Sequence, residues 1–223
     1  MRSFICLLFV FVSAASISAQ TNFSDDISNP TVITLTDDLT IENTVVNSGS
    51  ALANADTDFF TIVVPSGLQI DRISLSRYAE VNDSGQLNDN TDAVSFFGVE
   101  EGSTLSHNPA GNAQDQADFE EDASGFTLVD ANIVGSDLRF RLATADILGV
   151  PRRPDPSEWG LDPFSPLPSG SYAFVFQDTG ARKIFYELSF ETSVIPEPSS
   201  FLLLGLAVLI SAACFRNRRQ MRL

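Results

Sequence analysis

The chain has 223 residues, and its 13 lysines and arginines face 29 aspartates and glutamates, for a net charge of −16 at neutral pH. Five of the basic residues (Arg2, Arg216, Arg218, Arg219, Arg222) and one acidic residue (Glu197) lie in the end segments, so residues 20–195 hold eight basic against 28 acidic, a net −20. Nucleic acid is excluded as a partner, because there is no basic face to displace counterions from phosphates; such a surface suits divalent cations or a salty exterior. The two cysteines, Cys6 and Cys214, fall in the apolar ends, which excludes disulfides, thiol nucleophiles and zinc-thiolate sites from the part between.

Residues 1–19, MRSFICLLFVFVSAASISA, carry a positive start at Arg2, an apolar run from Phe4 to Val12 and then small residues. This order predicts a secretory signal peptide cut after Ala19, or one residue to either side, since Ile17 is an unusual residue three places before the cut. Residues 20–193 are then one exported domain, long enough for a sizeable core.

Within that domain, period-2 alternation and β-branched or aromatic runs predict strands at Thr31–Thr36, Thr40–Val46, Asp58–Val64, Ile70–Tyr78, Ala93–Val99, Asp137–Ala143, Ser171–Gln177 and Lys183–Thr192. Tyr172, Phe174 and Phe176 share one face of their strand, and Ile184, Tyr186, Leu188 and Phe190 share one face of the next; Asp178-Thr179-Gly180 between them reads as a hairpin turn. No long amphipathic helix is evident. The fold class is all-β: an antiparallel, jelly-roll-like β-sandwich.

Two long loops interrupt the pattern, an acidic one at 100–125 and one at 150–170 with six prolines. Trp159, with Arg152, Arg153 and Phe164, sits in the second; it could stack on a sugar, or cover the end of the sandwich, which is the plainer reading. The single histidine, His107, lies in the polar turn SHNPAGN and reads as an exposed, inert side chain rather than a catalytic base. No nucleophile elbow, zinc-protease or phosphate-loop motif occurs. For calcium, the hard oxygens of Asp83, Asp89, Asn90 and Asp92 in NDSGQLNDNTD are the first choice and Asp56 with Asp58 the second, against a simple solvated acidic loop; the segment lacks the EF-hand pattern.

Residues 194–223 close the chain: Pro196-Glu197-Pro198, then 199–215 with no charge, then a basic tip, 216–223, holding Arg216, Arg218, Arg219 and Arg222. As a helix, 199–215 would be about 25 Å long, close to a hydrocarbon core of about 30 Å once the arginines snorkel, and the arginines would keep the tip cytoplasmic. The prolines keep the motif extended and open to an enzyme at the membrane face.

This order of Pro-Glu-Pro, apolar span and arginine cluster resembles the PEP-CTERM sorting signal of Gram-negative bacteria. The resemblance implies recognition by a membrane-embedded exosortase, export across the inner membrane, transient anchoring through 199–215, and delivery to the cell surface or matrix, often beside exopolysaccharide. A second resemblance is carried by Asp56, Asp58 and Phe59 in NADTDFFTIVVPSG, and by Gly170, Tyr172, Tyr186 and Leu188 in LPSGSYAFVFQDTGARKIFYELSF. These are similar to the bacterial pre-peptidase C-terminal domain, which implies a small, non-catalytic β-sandwich. The expected function is a non-catalytic structural or binding component of the surface. The alternatives are a secreted enzyme acting on polysaccharide and a permanently anchored single-span envelope protein.

Overall fold

The computed structural model describes residues 17–20, 22–46, 56–108, 125–139, 165–178, 180 and 182–195. Ten strands form among them: β1 (Ile17–Gln20), β2 (Thr31–Thr34), β3 (Leu39–Val46), β4 (Thr57–Val64), β5 (Leu68–Val81), β6 (Leu87–Asn88), β7 (Ser95–Glu101), β8 (Gly125–Val129), β9 (Gly170–Asp178) and β10 (Lys183–Val194). They build two five-stranded sheets, ordered β1-β3-β10-β5-β6 and β2-β4-β9-β7-β8. The last two strands of the fold, β9 and β10, are therefore the central strands of the two sheets.

The antiparallel pairs are nested. β3 pairs with β10, β4 with β9 and β7 with β8, while Ser74 of β5 bridges Asp137. Two sheets linked by nested pairs in this way are consistent with the all-β sandwich expected from the sequence. The pairings at the outer edges depart from it: β1 runs parallel to β3, and β2 parallel to β4. β1 includes the end of the predicted signal peptide, because the open backbone edge of β3 accepts an extended segment lying beside it. Residues 1–16 lie outside the described residues.

The core follows from alternation. Ile184, Tyr186, Leu188 and Phe190 of β10 are buried, as are Tyr172, Phe174 and Phe176 of β9, and both sets belong to one cluster spanning the two sheets. Phe174 stacks on Phe60 (5.2 Å between centroids) and meets Phe190 of the opposite sheet edge-on at 5.7 Å. β4 is buried on both faces. Phe60, Ile62 and Val64 face the main core, while Phe59 joins Phe96, Leu105, Ala173 and Val175 in a second cluster that Ile27 packs against. This explains the near-continuous apolar run FFTIVV, where a strand with one wet face would alternate.

One predicted strand is corrected. Across 137–143, Asp137 makes a single bridge to Ser74, and Leu138 and Arg139 are helical; residues 140–143 lie outside the described residues. The Asp137 carboxylate accepts from the Arg139 backbone N–H at 3.1 Å and from its guanidinium at 2.9 Å, a local cap that competes with the ladder. Three strands lack a counterpart in the sequence reading: β1, the two-residue β6 and β8.

Packing at the centre makes a direct expectation. Phe174→Ala should cost about 3–5 kcal/mol in denaturant unfolding, whereas Phe185→Ala, a half-buried ring on the outer face of β10, should cost far less. The far-ultraviolet circular dichroism of both should remain strand-like and unchanged by reductant. Equal losses for the two variants would contradict the assignment of inner and outer faces.

Candidate functional site

β3, β4 and β10 bring polar side chains into one end of the apolar core. Asp58 enters from β4, since its side chain shares the inner face with Phe60 and Ile62. Its carboxylate is 1 % exposed, and the Asn43 amide of β3 donates to both oxygens at 3.0 Å. The Tyr186 hydroxyl of β10 donates to Oδ2 at 2.6 Å. Asp56 lies just before β4. Its Oδ2 accepts from the Val46 backbone N–H at 2.9 Å, tying the end of β3 to the start of β4. Asp25, in the loop before β2, completes a group of three carboxylates whose oxygens lie within 4.8 Å of one another.

The electrostatics follow from burial. Desolvation pushes the Asp58 pKa up to about 7; the nearby Asp56 adds to the rise, while Tyr186 and Asn43 oppose it by hydrogen-bonding the ionised form. Asp56 is pushed up to about 6, first by burial and then by Asp25, against the Val46 N–H. Burial and the adjacent Asp58 also raise Tyr186 well above a free phenol, so it stays a donor. Near neutrality Asp56 and Asp58 can exchange protons, and the hard oxygens of the group are of the kind that could hold a divalent cation.

Of the residues singled out for calcium, the structure thus brings Asp56 and Asp58 together and adds Asp25, which the sequence reading missed; Asp25 stands 31 residues earlier, and no spacing rule joins it to β4. The first choice, Asp83 with Asp89 and Asp92, does not converge. Arg77 grips Asp89 through two bonds, at 2.9 and 3.2 Å, and holds its carboxyl below the usual range; Arg182 donates one bond to Asp92 and lowers its carboxyl likewise. Asp83 lies in an exposed turn organised by the Asn82 side chain, which accepts from the Ser84 and Gln86 backbone N–H groups, and the Asn90 N–H is taken by Asn88. Arginine pairing and side-chain turns are the reason: each satisfies a carboxylate or amide locally. His107 lines a shallow groove of about 450 Å³ with Ile27, Ser28, Thr104 and Leu105, where Ser106 donates to Glu100. Trp159 lies outside the described residues.

The sorting segment leaves from the opposite end of the sandwich. β10 pairs to its last residue, Val194 against Leu68, and the Ile195 N–H donates to the Gly67 carbonyl at 2.8 Å. Gly67 adopts φ 86° in the turn after β4, a conformation that favours glycine. Pro196, Glu197, Pro198, the predicted span 199–215 and Arg216, Arg218, Arg219 and Arg222 lie outside the described residues. Among the described residues no helix is long and apolar enough to cross a membrane.

Comparison with known proteins places the tail. Residues 194–219 match the PEP-CTERM protein-sorting motif. The chain therefore carries the signal of an exported protein sorted by exosortase across the inner membrane to the surface of a Gram-negative bacterium. No curated protein and no solved structure matches the chain, and the likeness of 54–67 and 167–190 to the pre-peptidase C-terminal domain is not shown.

The raised Asp58 pKa carries a sign. The folded state holds the proton to about pH 7, whereas an unfolded aspartate releases it near 3.8. This group's contribution to stability is thus largest when the chain is protonated and is lost as pH rises from about 4 to about 7. A three-unit shift corresponds to about 4 kcal/mol. Asp58→Asn, of similar size and still able to accept from Tyr186, should flatten the fall in unfolding free energy across that range relative to the parent. Parallel pH profiles for the two proteins would refute the burial account.

Proposed function

We propose that this chain is a non-catalytic structural or binding component of the cell surface or extracellular matrix, displayed by its β-sandwich and delivered by its C-terminal signal. The observation that carries the reading is the continuity of sandwich and signal: the matched motif begins at Val194, the last residue of β10. In this reading, residues 199–215 hold the chain in the inner membrane for a time, with Arg216, Arg218, Arg219 and Arg222 on the cytoplasmic side. Exosortase engages Pro196-Glu197-Pro198 and the tail is removed. While the tail holds the chain, the acidic cluster of Asp25, Asp56 and Asp58, at the far end of the sandwich from the tail, faces away from the membrane.

A structural role fits the cluster better than catalysis. Both Asp58 oxygens are engaged by Asn43 and Tyr186, and the carboxylate is closed off between two sheets, with no room for a sugar beside it. Exopolysaccharide is the expected environment of such a protein, and calcium a ligand that its −20 charge would favour.

Peptide mass spectrometry of surface protein from the native host tests the delivery route. Peptides covering 20–195 should be recovered without those from 201–223, and a strain lacking exosortase should keep the whole chain in its membrane fraction. Intact arginine-containing C-terminal peptides at the surface of the parent strain would instead support permanent anchoring.

A further inference from the structure

The end of β10 is built differently from its body. As far as Phe190 the strand is paired on both sides, with β3 and with β5, and alternate side chains are fully buried. Pairing with β3 stops at Phe190, and a register shift follows between Glu191 and Thr192. Beyond it the chain runs against β5 alone, and Val194 is 73 % exposed.

What holds these last residues is polar. Asp38 Oδ1 accepts from the Thr192 N–H at 2.7 Å and from its hydroxyl at 3.1 Å. The Gln69 amide donates to the Ser193 hydroxyl at 3.0 Å, and the Ile195 N–H donates to Gly67. None of the residues 191–195 belongs to the buried core. A segment tied by surface hydrogen bonds opens at far lower cost than one tied by packing. Pro196 follows Ile195 directly, so the folded domain leaves no spacer before the motif. From Ile195 to Phe201, where the apolar residues begin after Ser199 and Ser200, is six residues, at most about 20 Å of extended chain.

We propose that Thr192–Ile195 form a release latch, which leaves β5 when exosortase engages the motif. Resting on the sorting function proposed above, the latch supplies what the short connection lacks: four freed residues, about 13 Å of chain, come away from β5 and give the enzyme an unpaired extended segment on the N-terminal side of Pro196. The bulge at Glu191/Thr192 limits the opening, because peeling stops where Phe190 is anchored in the core.

Two measurements test it on the full-length chain. By hydrogen exchange in detergent micelles, the amides of 192–195 should exchange at least about tenfold faster than those of 184–190, the difference expected when only a hydrogen bond or two must break. Equal protection overturns the latch whether or not the chain is sorted. In the native host, the double variant Gln69→Cys with Ser193→Cys, which crosslinks residues paired across the two strands, should convert to the shorter surface form at least about tenfold more slowly than either single variant. Inserting Gly-Ser-Gly-Ser between Ile195 and Pro196 of the crosslinked protein should restore conversion, since it gives reach without release. Crosslinked protein converting at the parental rate, or an insertion that fails to rescue, overturns the latch. Failure of the parent itself to convert counts against the sorting function, and the exchange contrast still decides the latch.

Discussion

Tyr186 joins the two sheets twice. Its ring stacks on Phe176 of the opposite sheet with centroids 3.8 Å apart, and its hydroxyl reaches Asp58 on β4 at 2.6 Å. Apolar contact alone holds sheets together without fixing how far they slide, since it is roughly proportional to area and has no direction. A hydrogen bond to a buried carboxylate has direction, and Asn43 on β3 gives that carboxylate a second fixed partner. The register of three strands is thereby tied to one side chain. The cost is a charge in the core, which the fold meets partly by keeping the proton on Asp58 near neutrality.

Much of the scaffold was legible because strands such as β3 and β10 have one face toward the core and the other toward water. β3 and β10 alternate as written, and their predicted limits lie within two residues of those observed. Legibility ended where the pattern had another cause. At Leu138-Arg139-Phe140-Arg141 the alternation reads as a strand, yet Leu138 and Arg139 are helical and the Asp137 carboxylate accepts from the Arg139 N–H. β8 (GFTLV) is a short run beside an acidic loop, and its place in the sheet depends on pairing with β7, which no local pattern discloses.

The candidate site divides in the same way. The sorting motif is local in sequence and could be read directly. The carboxylate cluster is a product of tertiary structure: Asp56 and Asp58 flank one strand start, but Asp25 arrives through the bridge of Ser24 to Phe59. The attractive loop NDSGQLNDNTD failed as a cluster because Arg77, on the neighbouring strand, and Arg182, from the β9–β10 turn, reach its aspartates. Only eight basic residues serve residues 20–195, so where each one lands decides which acids stay free to act together.

The strand order also bears on how the protein crosses the membrane. An exported chain threads from its N-terminus, and here the two central strands, β9 and β10, come last. Until they emerge, β3 and β5 have no common neighbour and β4 cannot reach β7; each sheet exists only as separated halves. The domain therefore cannot close during passage and stays in a form that a narrow export channel accepts. Closure, with its slow long-range pairing, therefore waits for β9 and β10, the segment that adjoins the sorting motif.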